Sequence, residues 1–163
     1  MKDQIRKDLI GLVAFVLFCF AAAGIGWIWT NAGLTVWYPT LKKPGWTPPN
    51  RVFGPVWSIL YLTMAIAGWL VWRRRDRNDG NVKLALLLFA VQLGLNAIWS
   101  YLFFTLRNPG IAFAEITLLW LAILATLMLF WRISRVAALL LIPYWLWVTF
   151  ASILNLVIWV MNS

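Results

Sequence analysis

The sequence predicts an all-α membrane protein, a bundle of five transmembrane helices with a long lid loop between the first two. The chain has 163 residues, of which 63% are hydrophobic and 12% are charged, whereas soluble domains are about 45–50% apolar and about 25% charged. It contains five apolar runs, each near the roughly 20 residues that a helix needs to cross a bilayer. The basic residues lie mainly between these runs, as in loops at a membrane surface.

The five apolar runs define the predicted helices. The first follows Lys2, Arg6 and Lys7 but continues past Ala23 to Trp29, so we interpret it as a helix, with a cleaved signal peptide as the alternative. Tryptophans near the ends of the first, second, fourth and fifth runs fit the aromatic belt of a membrane interface. We treat residues 1–163 as one domain, with helices over 9–30, 52–72, 82–104, 111–131 and 136–161.

Composition excludes several kinds of functional site. The chain has no histidine, so a zinc site, a Ser-His-Asp triad and a His-ligated haem are excluded. The single cysteine, Cys19, cannot form an internal disulfide and lies in an apolar run, where we interpret it as a small buried hydrophobic residue. We therefore expect neither a metal nor a cofactor.

The distribution of Lys and Arg predicts the orientation in the membrane. Alternate loops place ten basic residues on one side and four on the other, and the richer side is expected to be cytoplasmic, together with the N-terminus. We interpret the basic segment 73–83 as a stop-transfer anchor, with a patch for lipid head groups or nucleic acid as the alternative, and expect no nucleic acid partner. The richer side holds Lys2, Arg6, Lys7, Arg73, Arg74, Arg75, Arg77, Lys83, Arg132 and Arg135.

The loop 31–51 differs from the other connections in length and composition. It has about 20 residues, and loops of this length are usually functional or disordered. Trp37, Tyr38, Trp46 and several prolines give it aromatic mass and a stiff backbone. We predict that it packs as a lid over the helix ends. An interfacial anchor, with its rings among the lipid head groups, is the alternative.

Three helices carry aromatic and amide side chains at helical spacing, mostly in the half of the bilayer under the loop. Because polar groups facing lipid are costly, these stripes should face inward. Together they predict a cavity, while hydrogen bonding between helices is the alternative for each amide. The stripes are Phe53, Trp57, Leu60, Tyr61 and Met64; Gln92, Asn96, Trp99, Ser100 and Phe103; and Tyr144, Trp147, Ala151, Leu154 and Asn155.

Glu115 is the only acidic residue within a predicted span. An ionisable group inside a membrane is a functional candidate. A carboxylate one turn from the start of a helix is also stabilised by the helix dipole, so both interpretations remain open.

Three segments together resemble the TspO family of bacterial tryptophan-rich sensory proteins and mitochondrial translocator proteins, formerly called peripheral benzodiazepine receptors. The resemblance covers roughly residues 10–160, and its first motif is highly specific. The segments are WYPTLKKPGWTPPNRVFGPVWSILY (37–61), QLGLNAIWSYLFF (92–104) and LIPYWLWVTFASILN (141–155).

The resemblance implies a five-helix bundle, commonly dimeric, whose cavity binds protoporphyrin IX or related tetrapyrroles and isoquinoline carboxamide or benzodiazepine-type drugs. Bacterial relatives are associated with light- and oxygen-dependent breakdown of protoporphyrin IX, and the two tryptophans tied to that chemistry match Trp57 and Trp147. The ligand-binding positions of the family match Trp46, Phe53, Trp57, Tyr61, Asn96, Trp99, Ile111, Trp147, Ala151 and Leu154.

We therefore expect a membrane protein that binds porphyrins and acts in tetrapyrrole or stress sensing or in light-dependent porphyrin degradation, which leaves open whether it is an enzyme. Transport of tetrapyrroles or sterols is the alternative. The end of the chain, LVIWVMNS, lacks the Tyr and the basic residue of the family's sterol motif, which argues against sterol recognition.

The expected partners are membrane lipid and a second copy of the chain. The small residues Ala90 and Gly94 permit close helix approach and are the candidate dimer contact. We expect location in a bacterial cell membrane with a cytoplasmic N-terminus. An outer membrane is the alternative.

Overall fold

The computed structural model describes residues 2–75 and 80–163, and these residues form five long helices. Each helix is long and apolar enough to cross a membrane, and the described residues contain no strand. The predicted five-helix bundle is therefore confirmed. The helices are α1 (Lys2–Leu34), α2 (Asn50–Trp72), α3 (Gly80–Ser100), α4 (Pro109–Ile133) and α5 (Arg135–Asn162).

The helices extend beyond the predicted spans, most clearly in α1. This helix has 33 residues and is therefore about 50 Å long, whereas the hydrocarbon core of a bilayer is about 30 Å thick. Hydropathy marks only the apolar part of such a helix, so the polar residues 2–8 were not predicted to be helical. At its other end α1 continues to Leu34, which shortens the lid loop to residues 35–49.

A π-helical segment, Tyr101–Thr105, continues α3 on the side of the lid. The Leu106 amide donates to the Tyr101 carbonyl at 2.9 Å, which is the wider hydrogen bond of a π turn. Two consecutive aromatic side chains, Phe103 and Phe104, are buried here. The sequence predicted an uninterrupted helix over 82–104, because a change of helix type leaves no mark in hydropathy.

Helix α1 changes its neighbour along its length. In its first half α1 contacts α2 so closely that a Cβ on Gly11 would collide with the Trp72 ring. Near its end α1 contacts the continuation of α3 instead, where the Thr105 hydroxyl donates to the Trp29 carbonyl at 3.1 Å. Helices α1 and α2 therefore separate toward the lid and leave space between them.

Arginines at the end of α2 connect the helix ends on the side opposite the lid. Arg73 forms an ion pair with Asp8 of α1 at 3.0 Å. Arg74 donates to the Ile133 carbonyl at the end of α4. This part of the basic segment therefore makes contacts within the protein. Arg77, which was counted for the orientation, lies outside the described residues.

Apolar side chains fill the half of the bundle away from the lid. Phe89 of α3 and Phe130 of α4 stack with ring centroids 5.9 Å apart. Cys19 is also fully buried in this core, as its place in an apolar run predicted. Other core side chains include Met64, Val71, Leu93, Ile123 and Leu141.

Candidate ligand-binding site

A cavity of about 580 Å³ lies in the half of the bundle under the lid. Pockets for drug-sized ligands measure about 300–1,000 Å³, so the cavity has the volume of a binding site. Its walls come from α1, α2, the α3 end and α5, and Tyr38 of the lid contributes to its roof. The cavity occupies the space that opens where α1 separates from α2.

The three predicted stripes converge on this cavity and on the core beneath it. Leu60, Met64, Gln92 and Tyr144 are buried in the core. The inward direction of all three stripes is therefore confirmed, including that of both candidate catalytic tryptophans. The stripe residues in the cavity wall are Phe53, Trp57, Tyr61, Asn96, Trp99, Ser100, Phe103, Trp147, Ala151, Leu154 and Asn155.

Aromatic rings form the walls contributed by α2 and α5. Phe53 meets Trp147 edge-on, with ring centroids 5.9 Å apart and an interplanar angle of 73°. The rings of Trp57 and of Tyr61, on the next turn of α2, have their centroids 5.6 Å apart. Aromatic pairs of this kind contribute about 0.5–1.5 kcal/mol each beyond the burial of their area. The rings therefore stabilise one another in positions where they can contact a flat ligand.

A hydrogen-bonded group of three side chains closes the bottom of the cavity, where Tyr61 and Asn96 line it and Tyr144 is buried in the core beneath them. The Tyr61 hydroxyl of α2 donates to Asn96 Oδ1 of α3 at 2.5 Å. Asn96 Nδ2 donates to the Tyr144 hydroxyl of α5 at 3.2 Å. Asn96 therefore fits both interpretations of the amides: it lines the cavity, and its hydrogen bonds connect three helices.

Asn155 and Gln92 show the two extremes of amide pairing. Asn155 Oδ1 accepts from the Trp99 indole at 3.0 Å, and Asn155 Nδ2 donates to the Pro109 carbonyl at 2.8 Å. Gln92 is 1% exposed, and its amide has no hydrogen-bond partner among the described residues. Interhelical hydrogen bonding therefore accounts for Asn155 and does not account for Gln92.

The loop between α1 and α2 packs as a lid on the bundle. Tyr38 is 5% exposed and contacts Phe104 with ring centroids 5.7 Å apart. Burial raises the pKa of the Tyr38 phenol above its ordinary value. Farther along the loop, Trp46 meets the Phe150 ring of α5 edge-on at 5.8 Å. The lid interpretation therefore describes the loop better than a free interfacial anchor.

The basic residues of the loop region have different roles in the structure. The Lys43 ammonium donates to the carbonyls of Tyr38, at 2.6 Å, and Leu41, at 3.2 Å. Arg51, in the first turn of α2, lines the cavity and is exposed. Among the described residues that line the cavity, Arg51 therefore contributes the positive charge.

Two positions taken from the family resemblance do not line the cavity. Ile111 lies in the first turn of α4, where its amide donates to the Asn108 side chain at 3.0 Å and its own side chain is 52% exposed. Trp46 lies on the outer part of the lid and is 48% exposed. The orientation of α4, which spacing alone does not reveal, turns Ile111 away. Trp46 instead packs behind the wall, against the Phe150 ring that lines the cavity.

Sequence reasoning also missed a whole wall of the cavity. Residues of α1, among them Phe20, Gly24 and Trp27, line it, although α1 has no polar stripe. The small residues at 21–24 and at Gly26 could have indicated that α1 borders a cavity, because small side chains leave room beside a helix.

Glu115 does not line the cavity. It lies on the buried face of α4 and is 8% exposed. Neither carboxyl oxygen has a hydrogen-bond partner in the described part of the chain. The structure therefore separates Glu115 from the ligand-sized site.

A bundle of five helices able to cross a membrane, with an aromatic, ligand-sized cavity under a packed loop, defines a class of integral membrane proteins. The model of the TspO/MBR family matches residues 15–160, and the chain belongs to this family.

Curated relatives match over most of the chain. The tryptophan-rich protein TspO of Archaeoglobus fulgidus is 38% identical over 156 residues, which are 96% of this chain and 99% of that protein. Protein CrtK of Rhodobacter capsulatus is 36% identical over 94% of this chain and 95% of its own length. Human translocator protein is 38% identical over 76% of this chain and 73% of its own length.

Proposed function

We propose that the protein binds a porphyrin-type tetrapyrrole, with protoporphyrin IX as the test ligand, in the cavity under the lid. Isoquinoline carboxamide and benzodiazepine-type drugs would occupy the same site. The observation that carries this proposal is a cavity of about 580 Å³ with aromatic walls from α2 and α5. A flat conjugated ring gains most from such walls because it stacks on them over a large area.

The charge at the cavity supports an acidic porphyrin. Protoporphyrin carries carboxylates, and the Arg51 guanidinium lines the cavity in the first turn of α2. Carboxylates pair well with guanidinium groups and are favoured near helix N-termini. The porphyrin would thus lie with its ring between Trp57 and Trp147 and its carboxylates toward the lid.

Binding in this position would place two indoles beside a pigment that absorbs light. We assign to Trp57 and Trp147 the light- and oxygen-dependent step of porphyrin breakdown, if the bound porphyrin is consumed. A protein that binds without consuming the pigment would act as a sensor instead. Both roles use the same cavity, and illumination distinguishes them.

Transport of the ligand across the membrane is less well supported. The word translocator belongs to the names of the animal relatives. Below the Tyr61–Asn96–Tyr144 floor, Met64 and Leu141 are at most 1% exposed and fill the bundle. A filled core favours binding at one side over passage through the protein. Porphyrin flux across sealed vesicles that depends on the protein would contradict this preference.

Titration of the purified protein with protoporphyrin IX tests the proposal. In the dark, tryptophan fluorescence should be quenched with saturation near one porphyrin per chain. The Trp57→Phe/Trp147→Phe variant should bind about tenfold more weakly because two stacking surfaces become smaller. Trp131→Phe is the matched control, since Trp131 is 46% exposed on α4. Quenching without saturation would contradict the binding site.

Illumination of the saturated complex then separates the two roles. Consumption of several porphyrins per chain indicates degradation, and bound porphyrin that persists indicates sensing. Consumption in the dark, or at an unchanged rate in the double variant, would remove the role assigned to Trp57 and Trp147.

We also propose a bacterial cell membrane as the location, with the N-terminus in the cytoplasm, and a homodimer as the assembly. The orientation rests on the ten basic residues of that side against four on the other. Labelling of single cysteines in loops on the two sides of intact cells, in a Cys19→Ala background, measures it.

A further inference from the structure

Asn162, the last residue of α5, holds the lid through both polar atoms of its side chain. The Lys42 amide donates to Asn162 Oδ1 at 3.0 Å. Asn162 Nδ2 donates back to the Lys42 carbonyl at 2.9 Å and also to the Ile158 carbonyl in its own helix at 2.8 Å. A carboxamide is the side-chain group that can donate and accept in this paired way.

These hydrogen bonds attach the middle of the lid, residues 38–47, to α5. In the described part of the chain, no other hydrogen bond joins residues 38–47 to a helix. Among the described residues the loop is also held by ring contacts of Trp37 and Tyr38 on Phe103, of Tyr38 on Phe104 and of Trp46 on Phe150. Near its start, the Trp37 amide donates to the Gly33 carbonyl of α1 at 2.9 Å. Loss of the Asn162 contacts would leave residues 38–47 held to the helices by apolar contacts and by the chain on either side.

The paired hydrogen bonds lie at the edge of the cavity. Ile158, one turn before Asn162, lines the cavity wall, and Tyr38, four residues before Lys42, lines its roof. The pair therefore joins roof to wall at the point where the cavity would open if the lid moved away from α5.

We propose that the Asn162–Lys42 pair is a latch and that the ligand enters and leaves the cavity under the lid when this latch opens. Asn162 is then a positioning residue for ligand exchange and does not touch the ligand. This inference rests on the proposed function for the identity of the ligand. It also selects one of two routes, because the space between α1 and α2, lined by Gly24 and Ser58, offers a path from the lipid.

Three variants at the end of α5 test the latch. Asn162→Ala removes both hydrogen bonds to Lys42, and Asn162→Asp keeps the acceptor but removes the donor. Ser163→Ala is the matched control, since the Ser163 hydroxyl donates to the Trp159 carbonyl of its own helix at 2.6 Å.

Two measurements are made on each variant. Stopped-flow tryptophan quenching in the dark gives the association and dissociation rate constants of protoporphyrin IX. Hydrogen exchange at the Lys42 amide, measured without ligand, reports the opening of the latch itself.

In Asn162→Ala both rate constants should rise by about threefold to tenfold, because each net hydrogen bond is worth a factor of a few. The Kd should change by less than twofold, because the ligand enters and leaves through the same opening. The association and dissociation rate constants therefore rise by similar factors, and their ratio stays nearly constant. A purely structural role would instead weaken binding through dissociation alone. Asn162→Asp should be intermediate and Ser163→Ala should match the parent. Hydrogen exchange at the Lys42 amide should be fastest in Asn162→Ala, intermediate in Asn162→Asp and unchanged in Ser163→Ala.

Two outcomes would overturn the latch. Unchanged Lys42 hydrogen exchange in Asn162→Ala would show that the pair does not hold the lid. Faster exchange with unchanged porphyrin rates would show that the ligand takes the path between α1 and α2. If the parent protein fails to bind protoporphyrin, the proposed function fails, and Lys42 hydrogen exchange still decides whether Asn162 holds the lid.

Discussion

Gly33 of α1 lies against the Phe104 backbone so closely that a Cβ on Gly33 would collide with the Phe104 carbonyl oxygen. This contact joins the end of α1 to the π-helical end of α3. The contact also holds the end of α1 away from α2, and the cavity occupies the space between these two helices. Close approach of two backbones, which requires the absence of a side chain, therefore shapes the site.

Gly33→Ala should lower the free energy of unfolding by about 1–3 kcal/mol, because two backbones must move apart to accept the methyl group. Gly24→Ala is the control, since a Cβ there meets no atom within 4 Å. That variant should be neutral or more stable by up to about 1 kcal/mol through helix propensity. Denaturant titration in mild detergent measures both, and equal effects would contradict the backbone contact.

Two amides one turn apart on α3 should respond oppositely to apolar replacement. Asn96→Leu leaves the Tyr61 and Tyr144 hydroxyls without their partner and should cost about 1–3 kcal/mol. Gln92→Met removes a buried amide that has no partner among the described residues and should be neutral or stabilising. The same unfolding titration compares them. A loss in Gln92→Met as large as that in Asn96→Leu would reveal a partner for Gln92.

Arg74, which follows α2 and contacts the end of α4, should contribute more to stability than Arg132, which lies on the last turn of α4. It donates to the Ile133 carbonyl at the end of α4, so Arg74→Ala should cost about 1–2 kcal/mol. Arg132 is exposed on the last turn of α4, and Arg132→Ala should cost less than about 0.5 kcal/mol. Thermal unfolding of both variants in detergent checks this order. Similar losses in the two variants would mean that positive charge at the helix ends opposite the lid, and not the hydrogen bond to Ile133, stabilises the protein.

Gly94→Leu should shift the proposed homodimer toward monomer in detergent. A Cβ on Gly94 meets no atom of residues 2–75 and 80–163 within 4 Å, so the face of α3 that carries Ala90 and Gly94 has room for a second copy. A leucine there would prevent the close helix approach that small residues permit. Gly24→Leu on α1 is the control and should remain dimeric. Light scattering measures the mass, and an unchanged Gly94→Leu dimer would contradict this interface.

The contribution of α1 shows a limit of inference from sequence. Its hydropathy predicted a spanning helix but gave no sign that its second half would turn from α2 to α3. That turn depends on shape at a few points, such as Gly11 against Trp72 and Gly33 against Phe104. Such contacts depend on distances of an ångström or less between residues far apart in the chain.

The sequence by itself determined that five helices span a membrane and which faces of α2, α3 and α5 point inward, because run length and helical spacing follow directly from bilayer thickness and helix geometry. Only the tertiary structure decided that Asn96 is paired while Gln92 has no partner among the described residues, that Ile111 faces outward, and that Asn162 holds Lys42. Each of these depends on the tilt and rotation of packed helices, and hydrogen bonds form only within narrow limits of distance and angle.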